Sequence, residues 1–392
     1  MEAIMKDTYI SEAVKYIGAD DTTLDLFESQ YQIPNGVSYN SYVILDEKVA
    51  VMDTIDERKT DEWFANLENV LNGRTVDYLV ISHLEPDHAA NIKRAADKFP
   101  QAQLVLSAKA KAMLPQFFDI AHLEERCLVV KEGDTLELGT HKLHFVMAPM
   151  VHWPEVMVTY EQSEKVLFSA DGFGKFGSLS VEEPWEDEAR RYFINIVGKY
   201  GAPVQALLKK AAALDVAMIC PLHGPVLTEN LGHYIGLYDT WSSYRPEEKG
   251  VLIAYASIYG NTRKAAETLA DEFTRAGQKV CVMDLCRCDL AQAVSDAFRY
   301  DRLVLACATY DGGMYLPMED YLNHLKAKNF QKRKIGLMEN GSWAPMAAKK
   351  MKEALEGMKE MTFCDTVVTI RSAMKENDLP QIQKLAEELC AG

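Results

Sequence analysis

Apolar residues in this chain occur in short runs, and their arrangement changes about two thirds of the way along. In the first 250 residues the runs are β-rich, with helical periodicity between some of them. After that point, strand-like runs alternate regularly with helix-like segments. The polar stretch Tyr244–Gly250, which contains Pro and Gly, separates the two patterns. We therefore predict two domains, residues 1–248 and 249–392, as the length of 392 residues also suggests.

The first domain is predicted to contain a β-hairpin, further strands and several helices. The runs Tyr42–Leu45 and Val49–Met52 flank a short polar turn and predict the hairpin. Further strands are predicted at Tyr78–Ile81, Gln103–Leu106, Leu143–Met147, Val156–Tyr160, Lys165–Ala170 and Val216–Cys220. Helices are predicted at Asp61–Val70, Ala89–Lys98, Ala108–Met113, Glu186–Lys199 and Pro203–Ala213.

The second domain is predicted to be an α/β fold, a doubly wound five-stranded parallel sheet. Regular strand–helix alternation is typical of this architecture. The predicted strands are Val251–Ala256, Val280–Met283, Leu303–Ala308, Lys334–Met338 and Thr366–Ile370. The predicted helices are Thr262–Ala276, Asp289–Phe298, Pro317–Leu325, Ala344–Gly357 and Pro380–Cys390.

The composition limits the partners that the protein could bind and the cellular compartment in which it could occur. The formal net charge of -16 disfavours nucleic acid and anionic membranes as partners, since both would be repelled. Residues 1–7 contain no apolar segment typical of a secretory signal, and no run approaches the length of a membrane span. The eight cysteines are scattered, which favours free thiols and a cytoplasmic location. The one close pair, Cys286 and Cys288, lacks the CxxC sets of a zinc ribbon, and we expect it to be structural.

Seven potential metal ligands follow predicted strands. Four of them lie within six residues, directly after the strand Tyr78–Ile81, and the others follow three later strands. A single histidine in such a place is usually structural, as we expect for His122, His141, His144, His233 and His324. Seven ligands at strand ends instead predict a cleft holding two metals that share one carboxylate, for which Asp171 is the natural bridge. The seven are His83, Glu85, Asp87, His88, His152, Asp171 and His223.

Three loops of the second domain predict a phosphate and flavin site. The turn Ser257–Thr262 directly follows a strand and opens a helix, so that hydroxyl and backbone N–H groups could surround a monophosphate. It has neither the lysine of a Walker loop nor a GxGxxG sequence. With the loops after the third and fourth strands it resembles the FMN site of flavodoxins. The predicted contacts are Ser257, Ile258, Tyr259, Gly260, Asn261, Thr262, Ala308, Thr309, Tyr310, Asp311, Gly312, Gly313, Asn340, Gly341, Ser342 and Trp343.

The order of the metal ligands resembles that of the metallo-β-lactamase fold, with one difference. Hydrolases of that fold usually carry HxHxDH, whereas this chain has HxExDH, with Glu85 at the position of the second histidine. A carboxylate adds negative charge and a hard oxygen donor, which shifts the preference from zinc towards iron. A chain that has this substitution and then a flavodoxin-like domain resembles the flavodiiron proteins. The resemblance implies an N-terminal metallo-β-lactamase-like αββα sandwich (α+β) followed by the flavodoxin-like domain.

The resemblance also implies cofactors, reaction and partners. One iron would be held by His83, Glu85 and His152, the other by Asp87, His88 and His223, with Asp171 as the bridge. An FMN would relay electrons from an external donor, rubredoxin or a similar small protein, for the reduction of O₂ to water, of NO to N₂O, or of both. A head-to-tail homodimer, or a dimer of dimers, would bring each flavin to the irons of another subunit. Tyr192 could donate protons, or could be an ordinary buried tyrosine.

Two other functions are compatible with the same domains. One is a zinc hydrolase fused to a flavodoxin, against which Glu85 counts and which metal analysis would distinguish. The other is an electron carrier whose first domain is only a scaffold. Such a carrier would keep its electron throughput when His88 or His223 is substituted.

Overall fold

The structure, a computed structural model, describes residues 10–391 and divides into two compact units. The first unit extends to Phe193 and also includes Ala202–Tyr238; the second comprises Ile194–Gly201 and the chain from Asp239 onward. The N-terminal residues 1–7 considered above lie outside the described part. The domain boundary at 248/249 stays a prediction. Among residues 10–391, no helix is long and apolar enough to cross a membrane.

The first unit is built on two β-sheets flanked by helices. Its strands are β1 (Val14–Tyr16), β2 (Ala19–Asp21), β3 (Leu26–Phe27), β4 (Tyr31–Gln32), β5 (Val37–Tyr39), β6 (Tyr42–Leu45), β7 (Val49–Met52), β8 (Tyr78–Ile81), β9 (Gln103–Ser107), β10 (Cys127–Val130), β11 (Thr135–Glu137), β12 (Lys142–Met147), β13 (Met157–Glu161), β14 (Val166–Phe168) and β15 (Met218–Cys220). The helices that lie wholly or mostly in it are α1 (Thr60–Leu71), α2 (Pro86–Ala89), α3 (Ile92–Lys98), α4 (Ala108–Met113), α5 (Leu123–Arg126), α6 (Trp185–Tyr192), α7 (Gly201–Ala211) and α8 (Leu231–Ser242).

The two sheets pack face to face and place their apolar side chains between them. One has the strand order β1-β6-β7-β8-β9-β10 and the other β11-β12-β13-β14-β15. Alternate residues of each strand point inward, so Val80 and Val105 of the first sheet share a core with Phe145 and Phe168 of the second. Helices cover the outer faces: Trp63 of α1 and Val51 of β7, for example, line the same small apolar cavity. This is the expected αββα sandwich.

The second unit contains the predicted parallel sheet. Its five parallel strands have the order β17-β16-β18-β20-β21, in which the second strand lies at the edge beside the first, as in flavodoxins. These strands are β16 (Glu248–Ala256), β17 (Val280–Asp284), β18 (Tyr300–Tyr310), β20 (Lys334–Asn340) and β21 (Thr362–Ile370), and the short β19 (Gly313–Met314) pairs with β18. Its helices are α9 (Asn261–Arg275), α10 (Leu290–Arg299), α11 (Leu316–Ala327), α12 (Ala347–Leu355) and α13 (Leu379–Cys390).

Several predicted elements end or break earlier than the pattern suggested. The helix predicted at Ala89–Lys98 is interrupted near its start: α3 begins at Ile92 and is separated from α2 at Asn91, whose side-chain amide donates to the carbonyl oxygen of Ile55 at 2.8 Å. β14 stops at Phe168, because Ala170 has a left-handed φ of 50° and the chain turns. The helix predicted to reach Lys199 is α-helical only as far as Tyr192, the last residue of α6. The chain then continues as a π-helix over Phe193–Val197.

Candidate metal centre and flavin site

The loop after β8 carries four of the ligands and is anchored by hydrogen bonds at both of its ends. The backbone N–H of Ser82 donates to Asp53 Oδ1 at 2.6 Å. Pro86 occupies the first position of α2, where its missing N–H costs nothing. At the end of this turn, the carbonyl oxygen of His88 accepts from both the backbone N–H (3.0 Å) and the hydroxyl (2.7 Å) of Thr54. The four ligands of this loop therefore have a rigid backbone beneath them.

Two turns at the end of the second sheet bring in further ligands. After β14, the backbone N–H of Gly172 donates to the carbonyl oxygen of Ser169 at 3.0 Å, so the chain reverses around Asp171. After β15, His223 is oriented by its Nδ1, which donates to the carbonyl oxygen of Ser38 at 2.7 Å. Asp171 and His223 are almost fully buried.

The first ligand group consists of His83, Glu85, His152 and Asp171. Nε2 of His83 lies 3.2 Å from Glu85 Oε2 and 3.3 Å from Asp171 Oδ2. Nε2 of His152 lies 2.9 Å from the same Glu85 oxygen and 3.5 Å from Asp171 Oδ2. Two imidazole nitrogens and two carboxylate oxygens therefore converge on one point.

The second group consists of Asp87, His88 and His223. Nε2 of His223 lies 3.0 Å from Nε2 of His88 and 3.2 Å from Asp87 Oδ2. Oδ1 of Asp171 completes this group, at 3.2 Å from Nε2 of His88. The carboxylate of Asp171 therefore turns one oxygen to each group, as a bridging ligand must.

The chemistry of this cluster fits metal cations. Because Nδ1 of His223 donates to a carbonyl oxygen, Nε2 is the ring atom that can bind a metal, and it faces the carboxylate of Asp87. Both oxygens of Asp87 are buried without a hydrogen-bond donor among the described residues. Unpaired buried carboxylate oxygens are costly, and a cation between the lone pairs removes that cost. The two groups could thus hold one metal each.

When no metal is bound, protons on the histidines balance the negative charge of the carboxylates in the cluster. Burial alone would lower the pKa of His152, but hydrogen bonds to Asp171 and Glu85 and the charge of Asp171 raise it to about 9. Burial also opposes ionisation of Glu85, yet hydrogen bonds from His152 and His83 lower its pKa to about 2. Metal binding must therefore displace protons from the histidines.

Tyr192 lies beside the second ligand group. Its ring packs against the imidazole of His223, with centroids 5.4 Å apart, and against Phe27 and Phe176. Burial, followed by the charges of Asp171 and Asp87, raises the pKa of Tyr192 well above its ordinary value. The hydroxyl is therefore neutral at physiological pH. The π-helical turn that follows Tyr192 is a rare conformation that occurs often near functional sites.

Two residues around the metal cluster were not singled out from the sequence. Glu155 is almost fully buried and places Oε1 2.8 Å from Nδ1 of His83. Ser38 acts through its backbone carbonyl, for which a sequence holds no signal. Glu155 lies two residues after Trp153, in a stretch whose one strong candidate ligand is His152. The local sequence therefore did not mark Glu155 as part of the site. Its role depends on a contact across 72 positions of the chain.

The second unit contains a cleft of about 430 Å³ at the carboxyl ends of its parallel strands. Most of the predicted flavin contacts line it, from all three predicted loops. Gly260 and Gly313 are not among the lining residues: Gly260 has a left-handed φ of 88° and precedes α9, while Gly313 lines the neighbouring cavity. Three lining residues were missed, namely Ala344, Met346 and Ser372.

The two ends of this cleft differ in character. Ser257, Asn261 and the buried Thr262 surround the N-terminus of the 15-residue helix α9, where a phosphate is favoured. Tyr259 and Trp343 lie at the rim and are 93% and 89% exposed. A polar phosphate end and exposed aromatic side chains are what a flavin mononucleotide requires.

Comparison with known proteins assigns both halves of the chain. Residues 37–224 match the family described as "ODP family beta lactamase", and residues 253–384 match "Flavodoxin". The chain is 27% identical to the nitric oxide reductase of Moorella thermoacetica, covering 97% of this chain and 98% of that protein.

Solved structures agree over the same length. Rubredoxin oxygen:oxidoreductase of Desulfovibrio gigas superimposes with a TM-score of 0.90 at 27% identity, over 98% of both chains. The flavodiiron protein of Giardia intestinalis shares the fold, with a TM-score of 0.87 at 24% identity over 100% of this chain and 98% of that chain. Together with the ligand cluster, these matches confirm the predicted cofactors, FMN and a diiron centre. The chain belongs to the flavodiiron protein family.

Proposed function

We propose that this protein reduces O₂ to water, NO to N₂O, or both, at a diiron centre supplied with electrons through FMN. One iron is held by His83, Glu85 and His152, and the other by Asp87, His88 and His223. The observation that carries the proposal is the carboxylate of Asp171. Its Oδ2 lies 3.3 Å from His83 and its Oδ1 3.2 Å from His88, so one residue serves both metals.

Each residue of the cluster has a task that its surroundings support. A diiron centre held here would supply a binding site for the diatomic substrate and redox chemistry, with FMN as the source of electrons. Glu85 adds an oxygen ligand and a negative charge, which favour iron over zinc. Tyr192, neutral and buried beside His223, is placed to donate a proton to the reacting oxygen atoms. Tyr192 is buried, so bulk water does not reach its side chain.

The flavin cleft provides the entry point for electrons. Residues Ser257–Thr262 hold the phosphate, and the aromatic side chains Tyr310 and Trp343 contact the ring system. The electrons come from an external protein of the rubredoxin type or a similar small donor. Exposed apolar side chains at the cleft, including Tyr259 and Trp343, support the burial of this face in a head-to-tail homodimer or a dimer of dimers.

Turnover tests the proposed reaction directly. The protein loaded with FMN and iron is mixed anaerobically with reduced rubredoxin, and the consumption of O₂ and of NO is followed in separate assays. We expect at least one substrate to be consumed, with water or N₂O as product. The variant His88→Asn should still accept electrons into FMN but lose turnover. Native zinc in the site with no activity after iron loading would overturn the proposal.

Complementation tests the proposed dimer. One variant, His88→Asn, lacks a metal ligand, and a second, Thr262→Ala with Ser257→Ala, has a weakened phosphate site. Neither alone should turn over at low FMN concentration. In a head-to-tail dimer, mixed dimers of the two variants contain one intact flavin facing one intact diiron centre, and activity returns. Continued inactivity of mixed dimers verified by mass would contradict the arrangement.

A further inference from the structure

The two metal positions have matching sets of direct ligands. Each has two histidines, one carboxylate of its own and one oxygen of the shared Asp171. In each group the histidine nitrogens that face the metal position are Nε2 atoms. A difference between the two positions must therefore arise from the groups that contact the ligands from behind.

The groups behind the ligands do differ. Nδ1 of His83 lies 2.8 Å from the carboxylate of Glu155, whereas Nδ1 of His223 donates to the neutral carbonyl oxygen of Ser38. Nδ1 of His88 is buried and has no hydrogen-bond partner among the described residues. A charged acceptor thus stands behind one metal position only.

Glu155 is held rigidly as that acceptor. Its side chain is inaccessible to solvent, and its Oε1 also accepts from the backbone N–H of Leu84 at 2.9 Å. The hydroxyl of Ser107 donates to its backbone carbonyl oxygen at 2.8 Å, which fixes the main chain. Oε2 has no donor among the described residues, so His83 is the one side chain in that part of the chain that is hydrogen-bonded to this carboxylate. Its negative charge therefore acts largely on the imidazole of His83.

We propose that Glu155 makes the two metal positions unequal, so that the position at His83 binds a divalent metal more tightly than the position at His88. A carboxylate that accepts from a ligating imidazole increases the electron density on the opposite nitrogen and strengthens its bond to the metal. The same charge stabilises the ferric over the ferrous state, so the iron at His83 is the harder of the two to reduce. Glu155 is a positioning residue in this role, since it contacts the ligand and not the metal.

This inference rests on the proposed diiron site, but its test needs no turnover. Metal-free protein is titrated with Co²⁺ under anaerobic conditions, and calorimetry and the visible absorption of Co²⁺ follow the filling of the sites. The wild type should bind two equivalents in two separate steps. Glu155→Gln keeps an oxygen that can accept from His83 and Leu84 but removes the charge. It should weaken the tighter step by about 10- to 100-fold and bring the two steps together.

A matched control removes a different buried charge. Glu161 is also inaccessible to solvent, but its carboxylate accepts from the backbone N–H groups of Ser163 and Glu164, and among the described residues it has no hydrogen bond to a candidate ligand. Glu161→Gln should therefore leave the separation between the two steps in place. If Glu155→Gln also preserved the separation while its circular dichroism and thermal transition matched the wild type, the charge of Glu155 would have no such role.

Crystals of the wild type supply a test that depends on no variant. With one equivalent of Co²⁺, anomalous scattering should place the metal at His83, Glu85 and His152. Equal occupancy of both positions, or preference for the position at His88, would overturn the inference even if the Glu155 variants failed to fold. A protein that binds Co²⁺ unequally but reduces neither O₂ nor NO would disprove the proposed function and leave this inference standing.

Discussion

The ring of Tyr192 packs against the imidazole of His223 with their centroids 5.4 Å apart, which places a neutral phenol beside the second metal position. Tyr192→Phe should keep this packing and the metal content but remove the hydroxyl. Loss of a general acid lowers turnover on the order of 100-fold. Steady-state rates, metal analysis and the solvent isotope effect measure the change.

Tyr31→Phe is the matched control for this substitution. Tyr31 and Tyr192 both pack against Phe176, at centroid distances of 6.1 and 5.2 Å, and Tyr192 also packs against the candidate ligand His223. Substitution of Tyr31 should leave turnover unchanged. If Tyr192→Phe behaved in the same way, Tyr192 would be an ordinary core residue.

Glu85 is the residue that distinguishes this site from a hydrolase centre. Glu85→His restores the HxHxDH pattern and replaces a hard oxygen ligand by an imidazole, so the metal preference should move towards zinc. Reductase activity should be abolished as iron is lost. The iron and zinc contents of protein purified from medium containing both metals, together with O₂ and NO consumption, test this. A variant with iron and normal turnover would show that Glu85 does not have this role.

Most long elements of the fold could be predicted because their patterns are strong, although the 12-residue helix α8 was missed. Residues 78–81 and 108–113 form a strand and a helix as predicted, and all five parallel strands of the second unit were found. The five strands between Val14 and Tyr39 were missed because each has only two or three residues, too few for any periodicity. β16 begins at Glu248, inside the stretch predicted as a linker, since Glu248 pairs with Tyr300 of the neighbouring strand.

The candidate site was easier to predict where chemistry lies in side chains at strand ends. All seven predicted metal ligands come together in the two groups because their strands lead to one edge of the sandwich. Ser372 in the flavin cleft was missed, although it follows the fifth strand as the other loops follow the first, third and fourth. Glu155 and the carbonyl oxygen of Ser38 matter through long-range hydrogen bonds, which no local pattern specifies.

As pH rises, the stability of the metal-free protein should fall, whereas its affinity for metal should increase. The pKa of His152 is raised to about 9, so its contribution to stability is complete below its unfolded value near 6.5 and is lost as pH rises through 9. Metal binding displaces protons, so metal affinity should instead rise over this range, by at most about tenfold per pH unit for each proton. Urea unfolding of the metal-free protein and Co²⁺ titration at pH 7, 8 and 9 measure the two trends. Metal affinity independent of pH would contradict this account.

Thr262 lies in the first turn of α9, at the phosphate end of the flavin cleft, and is 2% exposed. A hydrogen bond to a charged phosphate contributes about 1.5–3 kcal/mol, so Thr262→Ala should weaken FMN binding by about 10- to 100-fold. Quenching of FMN fluorescence during titration of the flavin-free protein gives the affinity. Thr268→Ala is the control, because Thr268 is half-buried on the same helix, its hydroxyl donates to the carbonyl oxygen of Lys264, and it is not among the residues that line the cleft. Equal effects of the two substitutions would indicate loss of helix stability, and an unchanged affinity in Thr262→Ala would place the phosphate elsewhere in the cleft.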